Sequence, residues 1–129
     1  MMLPRVEKNI AFWRDSAAED FDVVTVLFGN GRYRYALFFA HLATEKMLKA
    51  LVVKKTRAHP PKIHNLLRLV QLADLFVDDE HMSTLKRRNA YQIEGRYPEL
   101  ASAYELSERH TASLIAETEK ALEWLKNQL

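Results

Sequence analysis

Apolar residues recur along this chain at steps of three and four, the period of helices packed on one another rather than of strands. Val6, Ile10, Trp13, Ala17, Phe21, Val24 and Phe28 form the first such stripe. It predicts a helix from Pro4, suited to the first helical position, to about Phe28, closed by Gly29-Asn30-Gly31. The next stretch, Arg32 to Lys55, differs in kind. From Tyr33 to Val53 it has no Gly or Pro, and its apolar residues run almost all the way round a helical wheel. Such a helix is surrounded by others. The short link before it forces an antiparallel return. Its few polar residues, Arg34, His41, Glu45 and Lys49, fall in one narrow angular sector. Glu45 preceding Lys49 is the favourable order for a helical ion pair, worth roughly 0.3–0.5 kcal/mol if exposed.

The central helix must stop before His59-Pro60-Pro61, since a residue preceding proline avoids the helical region. A short third helix is expected from His64 to about Asp74, with Leu66, Leu67, Leu69, Val70 and Leu72 as its apolar mass. Asp78 is a suitable cap for a fourth, from Asp79 to about Glu94, with Met82, Leu85, Ala90 and Ile93 inward and Gly95 and Pro98 bracketing its end. Ser107 caps a fifth, from Glu108 to about Asn127, with Ala112, Ile115, Leu122 and Leu125 inward. The pattern therefore predicts an all-α fold: an antiparallel up-and-down helical bundle of four main helices plus one short helix, in a single domain over 1–129.

Composition narrows the classes. At 129 residues, 48% hydrophobic and 28% charged, the chain is globular rather than disordered. Three Gly and four Pro leave little for the turns of an all-β fold. The absence of Cys excludes disulfides and thiolate metal sites and makes a cytoplasmic setting the expectation. No apolar run is long enough to span a bilayer, so no membrane partner is expected.

The net charge of +2 is unevenly spread. No Asp or Glu occurs between Lys46 and Ala73, a span that carries Lys46, Lys49, Lys54, Lys55, Arg57, Lys62 and Arg68 with His59 and His64. Asp74, Asp78, Asp79 and Glu80 follow at once. Segregation of this kind builds a local positive field suited to phosphate or to an acidic partner. A solvated Lys-rich loop is the plainer alternative. The candidate phosphate contacts are Lys49, Lys54, Lys55, Arg57, Lys62 and His64, joined by Arg87 and Arg88 if the fourth helix lies alongside. Arg96-Tyr97-Pro98 either binds phosphate with Tyr97 stacked on a base, or packs its link onto the bundle through a carboxylate such as Asp20. His64 reads as a cap or loop anchor rather than as a catalyst. No Gly-rich phosphate loop or nucleophile elbow is present. His81 beside Asp78 and Glu80 is the one cluster with metal-like composition, expected to face solvent; no metal or other cofactor is predicted.

One ordered set of residues resembles a known family. It runs Trp13-x3-Ala17-x2-Asp20, Gly31-x-Tyr33-x2-Ala36, Ala40, Ala43-x-Glu45-Lys46-x2-Lys49-Ala50, Pro61-x2-His64-x-Leu66, and Arg96-Tyr97-Pro98. In this order it is similar to the HEPN domains of higher eukaryotes and prokaryotes. The resemblance implies a helical bundle, usually a homodimer. Many prokaryotic members are paired with a minimal nucleotidyltransferase in toxin–antitoxin modules, and many others are metal-independent ribonucleases. Those enzymes use an Arg, four to six intervening residues and a His late in the chain. Here Asn89-Ala90-Tyr91-Gln92-Ile93-Glu94-Gly95 follows Arg87 and Arg88, with no His. The expectation is therefore a nucleotide- or RNA-binding protein, or a nucleotidyltransferase partner, without catalysis. A ribonuclease toxin using Arg34 with His41, or Arg87 and Arg88 with Tyr91, is the alternative, and a structural interaction module without a ligand is the second. A pair formed by Arg57 and His64 would span two prolines and could not share a helix face. A dimer is also expected from the all-round apolarity of the central helix and the aromatic area of Trp13, Phe38, Phe39 and Tyr91.

Overall fold

The computed structural model describes residues 3–96 and 106–129, with the side chains of 91–96 excepted. The chain forms α1 (Val6–Gly29), α2 (Tyr33–Thr56), α3 (Leu66–Leu72), α4 (Asp79–Arg96) and α5 (Glu108–Lys126). Helix α2 packs against each of the other four, while α3 and α5 each also touch α4. The fold is all-α, as the periodicity predicts.

Local chemistry accounts for the helix boundaries. At the end of α1, the Arg32 amide donates to the Leu27 carbonyl at 2.9 Å and the Gly31 amide to that of Phe28 at 3.0 Å. This paired closure needs a left-handed residue, and Gly31 supplies it at φ 72°. Helix α2 stops before the prolines, at Thr56. Arg57 takes the left-handed conformation there (φ 57°), and its carbonyl accepts from the Leu3 amide at 2.7 Å. For a non-glycine residue that conformation costs roughly 1–2 kcal/mol. Asn65, not His64, caps α3, accepting from the Leu67 and Arg68 amides at 3.0 and 3.2 Å. Asp78 caps α4 through the His81 amide at 2.8 Å, and Ser107 caps α5 through that of His110 at 3.0 Å. Helix α4 continues through Gly95 to Arg96, past the expected stop; Tyr97, Pro98 and Tyr104 lie outside the described residues.

The largest core cluster joins Ala43, Met47, Leu48, Leu51 and Val52 of α2 to Leu66, Leu69 and Val70 of α3, Leu85 of α4, and Leu122 and Leu125 of α5. Fully burying one such aliphatic side chain contributes about 1.5–3 kcal/mol. On α1 the expected stripe faces inward, with Val6, Ile10, Ala17 and Val24 buried. Two inward assignments change. Ala90 and Ala112 are not in the core, whereas Thr84 and Arg88 of α4 and Thr111, Leu114 and Thr118 of α5 are buried. Two of the buried threonine hydroxyls return to their own helix, Thr118 Oγ1 donating to the Leu114 carbonyl at 2.8 Å and Thr44 Oγ1 to that of Ala40 at 2.9 Å, whereas Thr111 Oγ1 finds no partner among the described residues.

The apolarity of α2 is satisfied within one chain, since its buried residues extend from Ala36 to Val53. Among the described residues, the large apolar side chains left exposed are Phe12, Val23 and Val26 on α1, Tyr35 at the start of α2, and Phe76 between α3 and α4.

Candidate functional site

The polar line on α2 is buried rather than exposed. Glu45 is 4% exposed, Lys49 6% and His41 0%. Glu45 Oε2 accepts from Lys49 Nζ at 3.0 Å, and Oε1 lies 3.0 Å from His64 Nδ1 and 3.4 Å from His41 Nε2. The other nitrogen of His41 faces the Arg88 carbonyl of α4 at 3.3 Å. Lys49 also stands over the Trp13 ring of α1, 5.4 Å from its centroid. One carboxylate thus ties together α2, the α2–α3 connection and, through its neighbours, α1 and α4.

Burial by itself pushes the Glu45 carboxyl upward. Hydrogen bonds from His41 and Lys49, the Lys49 charge and the bond from His64 outweigh it, bringing the group from 4.5 to about 2. Glu45 is therefore an ionised acceptor. Only His64 of this cluster reaches solvent, with 45% of its side chain exposed.

The cations of the acid-free span divide by partner. Lys46 pairs with Asp20 of α1 at 2.8 Å. Lys55 pairs with Asp74 at 3.2 Å. Lys54 donates to the Gln128 and Leu129 carbonyls at 2.7 and 3.2 Å. Arg57, Lys62 and Arg68 are exposed and make no ion pair among the described residues. Arg14, Lys54 and Arg57 meet over Val6 and Ile10 at an open cleft of about 360 Å³, with Glu7 as its acid. Arg14 was not anticipated, because its place beside the end of α2 depends on how α1 packs.

The remaining candidates separate. Arg87 is engaged by Glu117 of α5 at 2.7 Å, on a groove of about 380 Å³ that Lys120 and Glu80 also line. Arg88 is fully buried, so it does not share a surface with the loop cations. Arg34 lies over the Tyr35 ring at 5.4 Å, and the fully buried His41 cannot join it at an accessible site. The side chains of Tyr91 and Arg96, and all of Tyr97, fall outside the described residues. His81 does not face solvent as expected. Its side chain is 13% exposed, its ring stacks on Trp124 with centroids 4.9 Å apart, and Nδ1 lies 2.8 Å from Asp78 Oδ2. The His81 amide, and then its ring, hold the Asp78 carboxyl below its ordinary range. Among the described residues no group of three or more His, Asp or Glu could hold a metal ion.

The comparison that decides the family is a match to the HEPN domain model over residues 10–128. The chain belongs to the HEPN family. Its fold is similar to that of TT1696 from Thermus thermophilus, with a TM-score of 0.78 and 25% identity, covering 93% of this chain and 98% of that one. It also matches ST0689, an archaeal HEPN homologue, with a TM-score of 0.75 and 19% identity over 92% of this chain and 96% of the other. At that identity the second likeness concerns the fold alone. Among curated proteins no sequence match is found. For this HEPN chain no described helix is long and apolar enough to cross a membrane.

Proposed function

We propose that this HEPN domain binds single-stranded RNA or a nucleotide through the phosphates, without cleaving it. The observation that carries this reading is the exposed edge between α2 and α3, where Arg57, Lys62 and Arg68 stand without ion pairs among the described residues, in a span devoid of acids. Family membership supports a nucleotide-related ligand. Against catalysis, the sequence carries no His at the family's spacing after Arg87 or Arg88, and His41 is sealed inside the bundle. The sequence from Arg57 to Arg68 carries no Phe, Tyr or Trp for stacking, so phosphate charge, with weak base preference, should dominate binding.

The test is the salt dependence of binding to a short uridine oligonucleotide. For single strands each neutralised phosphate contributes a slope of about −0.7 in log K against log salt. Arg57→Ala, Lys62→Ala and Arg68→Ala combined should flatten the slope by about 2 and leave the helical circular dichroism unchanged. An unchanged slope would return these residues to the status of a solvated surface. Metal-independent cleavage of the oligonucleotide would favour the ribonuclease alternative.

A second reading concerns protein partners. Phe12, Val23 and Val26 leave an exposed apolar stripe on α1, which favours burial against another protein, as a homodimer or with a nucleotidyltransferase of a toxin–antitoxin module in the cytoplasm. Sedimentation at micromolar concentration showing only monomer, unchanged by Val26→Glu, would remove the homodimer.

A further inference from the structure

We propose that His64 is a proton-controlled phosphate contact, its Nδ1–H donated to Glu45 and its protonated Nε2 donating to a phosphate oxygen of bound RNA. The inference rests on the RNA-binding reading above and assigns one contact within it. Three observations carry it. Glu45 is ionised and can only accept, so the hydrogen in the 3.0 Å contact belongs to His64 Nδ1. That bond orients the ring and leaves Nε2 as the one position that gains or loses a proton. Nε2 takes no partner among the described residues, and the side chain is 45% exposed, against 5% for Glu45 and 7% for Lys49.

The surrounding charges suit an anion. Helix α2 brings Glu45, His41 and Lys49 to this cluster, and Lys62 of the connection and Arg68 of α3 are exposed cations within four positions of His64 in the chain. Glu45 is the acid in contact with His64, and Lys49 already balances its charge. A buried ion pair is a costly way to hold a bundle together, since apolar residues of similar volume often serve as well. Its open end at His64 gives the network a use: it presents one oriented imidazole at the rim of a cationic edge. A neutral ring would turn a lone pair toward the phosphate and repel it. A protonated ring would offer a charged donor.

The pH dependence of RNA binding separates this role from a merely structural tether. Anisotropy of a labelled uridine oligonucleotide would be measured with the full chain at constant ionic strength, at about pH 5.5 and about pH 8. The wild type should bind several-fold more tightly at the lower pH. His64→Gln keeps an N–H for Glu45 but cannot titrate; it should lose that gain while retaining the affinity seen at the higher pH. His59→Gln, in the same connection and exposed, should keep the gain. A full gain in His64→Gln would overturn the assignment even if RNA still binds. A wild-type affinity that does not change with pH would do the same. Absence of binding at both values would overturn the RNA-binding reading and the contact together. Cleavage that His64→Gln abolishes would recast the residue as a general base and overturn both.

Discussion

Replacing Glu45 with Gln should destabilise the bundle by about 3 kcal/mol, toward the lower end of what breaking a buried ion pair costs. The substitution keeps shape and removes charge. Lys49, 6% exposed, would then hold its ammonium beside an amide, and the His64 and His41 rings would lose a carboxylate 3.0 and 3.4 Å away. An independent route gives a similar magnitude. The Glu45 carboxyl falls from 4.5 to about 2 on folding. At about 1.4 kcal/mol per tenfold change, this corresponds to about 3 kcal/mol in favour of the charged, folded state. Urea denaturation followed by far-ultraviolet circular dichroism measures the loss directly, with the slope against denaturant checking that the unfolded reference is unchanged. Glu45→Leu combined with Lys49→Met should recover most of it, because the cost lies in an unpaired buried charge rather than in a lost attraction. A loss below about 1 kcal/mol in Glu45→Gln would refute the reasoning and imply that water reaches Lys49.

Two further outcomes follow from the same geometry. Because the folded-state value of Glu45 is depressed, its contribution is complete above about pH 4.5 and declines as pH falls toward about 2. Acid titration of stability should therefore steepen across that window in the wild type and flatten in Glu45→Gln; parallel curves would contradict the assignment. Asn65→Ala should cost about 1 kcal/mol by removing the cap on the Leu67 and Arg68 amides, whereas Asn65→Asp should cost little, both read by thermal denaturation.

Much of the fold was legible because it is encoded locally. The α1 stripe, the Gly31 closure and the Asp78 and Ser107 caps each depend on residues within a few positions of one another. The site was only partly legible. The angular sector holding His41, Glu45 and Lys49 was visible, but its burial depends on packing from other helices. The contacts that complete it, His64 to Glu45 and His41 to the Arg88 carbonyl, span 19 and 47 positions. Arg88 read as a surface cation because a buried arginine has no local signature, and Ala90 and Ala112 read as inward because alanine tolerates either environment. Lys55 and Lys54 looked like free cations until the fold brought Asp74 and the Gln128 and Leu129 carbonyls to them.

The most direct test of phosphate binding at the α2–α3 edge is a map of amide chemical shifts during titration with a short single-stranded uridine oligonucleotide. The responding amides should cluster from Arg57 to Arg68, with the His64 ring shifting alongside them, and added salt should suppress the whole set together. Responses confined to the α4–α5 groove around Arg87 and Lys120, or absent at every concentration reached, would contradict phosphate binding at the α2–α3 edge.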